Sequence, residues 1–238
     1  MVDYGYHISD FMDKYIGLPK LIKDNYSFDL CLTNPPWSKN YEGSVGGSGE
    51  KTRTKEFYDK PIENYEDWCK SWFEKLKQCC KTIIIRCGIE NMAMWQRIQK
   101  PEDYVWHYMK NGAMGSRIAT FNCIDVYLFY GKIKKWYRSN VIDELSNIGI
   151  MHKRIYKHPS PDNERVWIYL MKPINPSNCI DIFAGSGTLG EACMALGTKK
   201  FFMYEKNGIY EDDFKLRLSD VKFGSENLSN IKKKGVRR

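Results

Sequence analysis

At 238 residues, 42% of them apolar and 14% aromatic, the chain can bury one substantial core, which excludes a disordered protein and fits a single globular domain over 1–238. Lysine and arginine total 37 against 29 for aspartate and glutamate. The resulting charge of +8 suits a polyanion partner only modestly, because part of it lies in a basic C-terminal tail over 230–238. The eight cysteines include no C-x-x-C pair and mostly fall in apolar runs. They read as reduced core thiols of an intracellular protein, cytoplasmic or nuclear, and no metal site is expected. No signal peptide or membrane-length apolar run occurs, so a membrane partner is not expected.

In chain order, Tyr6–Ser9 reads as a short strand that delivers the carboxylate of Asp10, followed by a helix or turn interrupted by Gly17 and Pro19. Phe28–Thr33 is a buried strand that runs straight into Asn34-Pro35-Pro36-Trp37. The carboxyl edge of a strand is where open α/β sheets bind their ligands. The two prolines fix φ and lack N–H groups, so the turn can present carbonyl acceptors beside an amide side chain and a large ring. Such a platform suits a planar amino group, whose hydrogens meet the acceptors while the ring stacks on the flat body that carries it. Residues 41–55 carry four glycines with Lys51 and Arg53 and show no apolar periodicity. A surface insertion and a mobile basic lid both fit, and the position just after the platform favours the lid.

Tyr65–Cys80 is an amphipathic helix with Trp68, Trp72, Phe73, Leu76, Cys79 and Cys80 on one face, a face that would be a dimer surface if exposed. It leads into the buried strand Thr82–Ile85. A helix over Met92–Gln99 precedes two strands, Tyr104–Met109 and Cys123–Tyr130, which read as an antiparallel pair added at the edge of a parallel sheet, with Asp125 the one charge inside the second. Residues 131–157 mix basic and aromatic side chains, equally a nucleic-acid-tracking surface and a solvated connector. His158-Pro159-Ser160-Pro161 is a rigid turn before a helix over Asp162–Met171.

A second informative stretch follows. The strand from Cys179 through Asp181 enters Phe183-Ala184-Gly185-Ser186-Gly187-Thr188 and leaves as a helix with Leu189, Ala192, Cys193 and Leu196 inward. A further strand, Phe201–Tyr204, ends in Glu205. Glycines let backbone approach a ligand, and an acid at this place can take both hydroxyls of a ribose. Only Gly185 and Gly187 stand in the turn itself, so an adenosine with a small zwitterionic tail fits better than a dinucleotide.

In content and order these motifs resemble the permuted (β-class) S-adenosylmethionine-dependent amino-methyltransferases that act on adenine N6 or cytosine N4 of DNA. Asn34-Pro35-Pro36-Trp37 matches the family's catalytic D/N/S-P-P-Y/F/W and Asp181–Thr188 its D-x-F-x-G-S-G-T loop, in the family's order, over nearly the whole chain from Ile8 to Lys206. The resemblance implies a Rossmann-like α/β fold, a mostly parallel seven-stranded sheet with an antiparallel edge hairpin and helices on both faces. It implies S-adenosylmethionine as cofactor, held by Asp10 and Phe11, by His158-Pro159-Ser160, by Asp181, Phe183, Ala184, Gly185, Ser186, Gly187 and Thr188, and by Glu205 and Lys206. Asp10 would meet the cofactor's adenine amino group, Glu205 its ribose and the glycine turn its methionine part. Asn34, Pro35, Pro36 and Trp37 would be catalytic, on a DNA base flipped out of the duplex.

Two departures stand out. Pro161-Asp162-Asn163 replaces the Q-K-P that follows His-Pro-Thr in the family, and residues 131–157 are short for a target-recognition domain, so specificity would come from the lid or another subunit, in a homodimer or heterodimer. Adenine is favoured over cytosine because cytosine-N4 relatives mostly carry serine where Asn34 stands. An adenine-N6 RNA methyltransferase and a non-catalytic nucleic-acid-binding partner subunit are the alternatives. Enzymes that methylate glutamine or guanine amino groups usually place the glycine loop first, and the additional Asn34-Pro35-Pro36-Trp37 motif disfavours an oxidoreductase.

Overall fold

The computed structural model describes residues 3–37, 62–109, 114–115, 121–132, 139–144, 156–158 and 161–219. The glycine-rich stretch 41–55, most of 131–157, Pro159, Ser160 and the basic tail lie outside the described residues.

Strands β1 (Asp3–Ile8), β2 (Phe28–Thr33), β3 (Cys80–Gly88) and β4 (Asp103–Met109) come in chain order with helices α1 (Leu18–Lys23), α2 (Tyr65–Cys79) and α3 (Met92–Ile98). The short β5 (Met114–Gly115) and β6 (Phe121–Asn122) pair with each other inside what reads in sequence as a plain loop. Then follow β7 (Ile124–Gly131), β8 (Val141–Glu144), α4 (Glu164–Met171), β9 (Asn178–Asp181), α5 (Thr188–Leu196) and β10 (Lys200–Glu205). A last helix, α6, covers 211–219.

The main sheet has eight strands in the order β1-β10-β9-β2-β3-β7-β4-β8. All run parallel except β7, which is antiparallel to both β3 and β4. The expected antiparallel pair is therefore present, but the reversed strand lies inside the sheet, and β8, from within 131–157, adds an eighth strand beyond β4. Alternate residues face opposite layers, as the pleat dictates. Cys31, Ile83 and Ile85 pack with Trp72, Phe73, Leu76 and Trp95 of α2 and α3. Leu30, Leu32 and Ile84 pack with Trp167, Leu170, Leu189 and Phe214 of α4, α5 and α6. Being covered on both faces is why the central strands read as continuous apolar runs.

The apolar face of α2 is spent on this core, with Trp72, Phe73 and Leu76 fully buried, so it is not a dimer surface. Cys80 has already left the helix and opens β3. All eight cysteines are unbridged, six of them buried. No helix among the described residues is long and apolar enough to cross a membrane.

From β9 the chain crosses through α5 to β10 on one side, while from β2 it crosses through α2 to β3 on the other. The carboxyl ends of β9 and β2, neighbours in the sheet, thus stand at the point where the winding direction reverses, the place at which open α/β sheets form their binding crevice.

Candidate active site

The glycine turn lies on one side of this crevice. Gly185 and Gly187 have φ of +48° and +86°, in the left-handed region that side chains disfavour. Both also admit close neighbours: a Cβ on Gly185 would stand 2.8 Å from His158 Nε2, and one on Gly187 2.6 Å from Phe214. Gly187 N–H donates to the Ala184 carbonyl at 2.7 Å, and Ala184 N–H to the Tyr204 carbonyl at 2.9 Å. Glu205 accepts from Gly185 N–H and from Asn207 N–H, each at 2.8 Å, and burial still pushes its carboxyl above the ordinary range. The Tyr6 hydroxyl donates to the Gly185 carbonyl at 2.9 Å.

Asp181 joins the two motifs. Its Oδ1 accepts from the Thr33 hydroxyl at 2.7 Å and from Phe183 N–H at 3.0 Å. Its Oδ2 is buried and meets no donor among the described residues. Burial pushes this carboxyl up to about 7. A buried acceptor oxygen with nothing to accept is a site for a positively charged or N–H-bearing ligand group.

Asn34-Pro35-Pro36-Trp37 forms the other side. Asn34 Nδ2 donates to Asp162 Oδ2 at 3.0 Å, while Asn34 Oδ1 accepts from Trp37 Nε1 at 2.9 Å. The Pro36 carbonyl accepts from the Tyr65 hydroxyl and the Trp37 carbonyl from Asn91 Nδ2, whereas no described residue donates to the Pro35 carbonyl. The Trp37 ring lies 5.3 Å from the Arg86 guanidinium, and so close to Gly88 that a Cβ there would stand 2.9 Å from it.

Behind the platform runs a buried chain of charged groups. Arg86 donates to both Asp162 and Asp125. His107 Nδ1 lies 3.0 Å from Asp125 Oδ1, and its Nε2 3.1 Å from the Glu144 carbonyl. His107 and Asp125 are fully buried, Arg86 and Asp162 nearly so. Burial alone would raise Asp125, but Arg86 and His107 outweigh it and hold the carboxyl below the usual range. Because β7 runs backwards, its first residues meet the carboxyl ends of β3 and β4, and that brings Asp125 to Arg86 and His107.

The remaining expected residues fall as follows. The parallel register sets Ile8 opposite Glu205, which brings Asp10 to the same edge. Asp10 is exposed and accepts from Met12 N–H at 2.8 Å. Phe11 meets Phe183 edge-on at 4.9 Å between ring centroids. His158 is half-buried over the turn, its backbone N–H donating to Asp213 at 2.8 Å. Ser186 accepts from Arg217 Nε at 3.1 Å, Thr188 opens α5, and Lys206 is exposed just past Glu205. Sequence reasoning missed Arg86, His107, Asp162 and Arg217 as parts of the site. Arg86 was findable as the one charge in the buried run Ile83–Cys87, and Asp162 was legible only as a departure. A hollow of about 370 Å³ lined by Lys77, Lys81, Lys132 and Glu102 opens at the opposite end of β3 and takes no part.

The fold is similar to that of several solved S-adenosylmethionine-dependent DNA methyltransferases. The M1.HpyAVI complex with S-adenosylmethionine aligns at a TM-score of 0.61 with 15% identity, over 90% of this chain and 99% of that one. The cytosine-N4-specific PvuII DNA methyltransferase aligns at 0.64 with 13% identity, over 91% and 86%. A putative DNA modification methylase of Thermus thermophilus, complexed with S-adenosyl-L-methionine, aligns at 0.55 with 14% identity, over 92% and 96%. At these identities the likeness is one of fold. No protein-family model matches the sequence, and no curated protein matches it in a sequence search.

Proposed function

We propose that the chain transfers the methyl group of S-adenosylmethionine to the exocyclic N6 amino group of adenine in DNA. One observation carries the reading: the Asn34 amide, its nitrogen tied to Asp162, stands just past the strand whose Thr33 is hydrogen-bonded to Asp181 at the root of the glycine turn. An amine-holding platform and a ligand-binding turn thereby share one crevice.

The residues present fit the cofactor. The unpartnered buried Oδ2 of Asp181 matches its ammonium group, and the Glu205 carboxylate, already fixed by two backbone N–H groups, matches its ribose. Asp10, Phe11 and the His158 segment would flank the adenosine and methionine parts. When bound, S-adenosylmethionine supplies a methyl group made electrophilic by its sulfonium.

The protein's own work is on the amine. An exocyclic amino nitrogen is a poor nucleophile because its lone pair is delocalised into the ring. Asn34 Oδ1 and the Pro35 carbonyl accept its two hydrogens, draw the nitrogen towards tetrahedral and aim the lone pair. No strong base is required, since alignment and a preorganised polar surrounding lower the barrier. Trp37 stacks on the base, which must leave the duplex to reach the crevice. To receive the amine, Asn34 Oδ1 shares its second lone pair or gives up its bond from Trp37 Nε1.

Asn34 favours adenine; the likeness to a cytosine-N4 enzyme keeps cytosine as the second reading. Incubation with tritiated S-adenosylmethionine and DNA, RNA or protein distinguishes the classes. Label in DNA is expected, whereas label confined to RNA or to protein glutamine overturns the assignment.

A further inference from the structure

Asp162, which the sequence marks only as a departure, is hydrogen-bonded to the Asn34 carboxamide. A carboxamide works as an amine acceptor in one orientation and fails in the flipped one, which would aim its own N–H groups at the amine. The two neighbours of Asn34 are chemically unambiguous. A carboxylate paired with the Arg86 guanidinium accepts, so Asp162 demands the nitrogen, and an indole N–H only donates, so Trp37 demands the oxygen.

Asp162 is itself fixed. Arg86 donates to its carboxylate, and Arg86 is held in turn by Asp125, which His107 backs. The Asp162 carbonyl accepts from Arg217 Nη2 at 3.0 Å, and the same guanidinium donates to Ser186 in the glycine turn. This carboxylate thus sits where the amine platform, the buried charge chain and the cofactor turn meet. A charge-assisted bond to Nδ2 also shifts electron density towards Oδ1, making it a stronger acceptor.

We infer that Asp162 is a positioning residue that locks the Asn34 carboxamide with its oxygen towards the substrate amine and strengthens that oxygen as an acceptor. The inference rests on the methyl-transfer reading for its kinetic consequence, but not for the hydrogen bond itself.

The test is a donor–acceptor exchange. In Asp162→Asn the single remaining oxygen is claimed by the Arg86 cation, so the new NH2 faces Asn34 and favours the flipped amide. In Asn34→Asp two carboxylates face each other. In the double variant an amide donor at 162 again meets an acceptor at 34 that presents oxygen to the substrate. The expected result is a loss of at least about tenfold in kcat in each single variant, with cofactor affinity within about threefold of the parent, and recovery of most of the loss in the double. A double variant no better than the singles, with all three folded by circular dichroism and melting, overturns the inference, because a residue that merely holds Arg86 gains nothing from a change at 34. A second readout needs neither activity nor variants. In the parent protein the Asn34 carboxamide protons should exchange at least about tenfold more slowly than those of exposed asparagines, and exchange at the exposed rate overturns the lock. If no methyl transfer is found at all, the functional reading fails while the exchange measurement still decides the role of Asp162.

Discussion

The Thr33 hydroxyl donates to Asp181 Oδ1 at 2.7 Å, across 148 residues of sequence. This bond ties the strand that ends in Asn34-Pro35-Pro36-Trp37 to the strand that ends in the glycine turn. The Asp181 carboxyl it serves is pushed up to about 7 by burial. The native state then keeps a proton that the unfolded chain, near the ordinary aspartate value of about 3.9, has lost. The stability from this group is full below about pH 4 and is lost as pH rises through about 7, at up to about 1.4 kcal/mol per pH unit. Melting temperatures between pH 4.5 and 7.5 should therefore fall more steeply with rising pH in the parent than in Asp181→Asn. Parallel profiles would contradict the assignment.

Arg86 is the only described cation between Asp125 and Asp162. Removing it as Arg86→Met leaves two buried carboxylates facing each other, and breaking a buried pair in this way costs about 3–5 kcal/mol. Urea unfolding should show that loss, and a change under about 1 kcal/mol would mean the chain of charges is not holding the platform. The acid limb has the opposite sign to that of Asp181. Since Asp125 is held below its ordinary range, its contribution is complete above that range and is lost as pH falls through its lowered value.

Two glycines separate backbone strain from crowding. Gly187 and Gly197 both have positive φ, at +86° and +71°, but a Cβ meets Phe214 at 2.6 Å on the first and nothing within 4 Å on the second. Gly197→Ala should cost about 1–2 kcal/mol from the left-handed backbone alone. Gly187→Ala should cost clearly more, at about 2–4 °C of melting temperature per kcal/mol in a chain of this size. Equal shifts would show that the turn adjusts freely around Phe214.

Most of the sheet and both motifs were legible because they are local. Phe28–Thr33 announces itself as a buried strand through its apolar run, and Gly185 and Gly187 mark a turn whose φ values only glycine adopts comfortably. What was not legible depends on pairing between distant segments. The reversed β7 sits inside the sheet because it pairs with both β3 and β4, and nothing in Ile124–Tyr130 alone says which strand flanks it. The Asp162–Asn34 bond spans 128 residues and the Arg217–Ser186 bond 31, so neither leaves a spacing to be read. The bond from Trp37 to Asn34 lies within one motif, yet only the fold reveals that the expected amine acceptor already has a donor.

In the proposed reaction Asn34 presents its amide oxygen to the amino group of a DNA base. The most direct measurement is nucleoside analysis of DNA incubated with S-adenosylmethionine and either the parent protein or Asn34→Ala. N6-methyladenine is expected with the parent, and its loss by at least about a hundredfold with Asn34→Ala while cofactor binding persists. N4-methylcytosine would move the reading to its second form, and methylation that survives Asn34→Ala would contradict it.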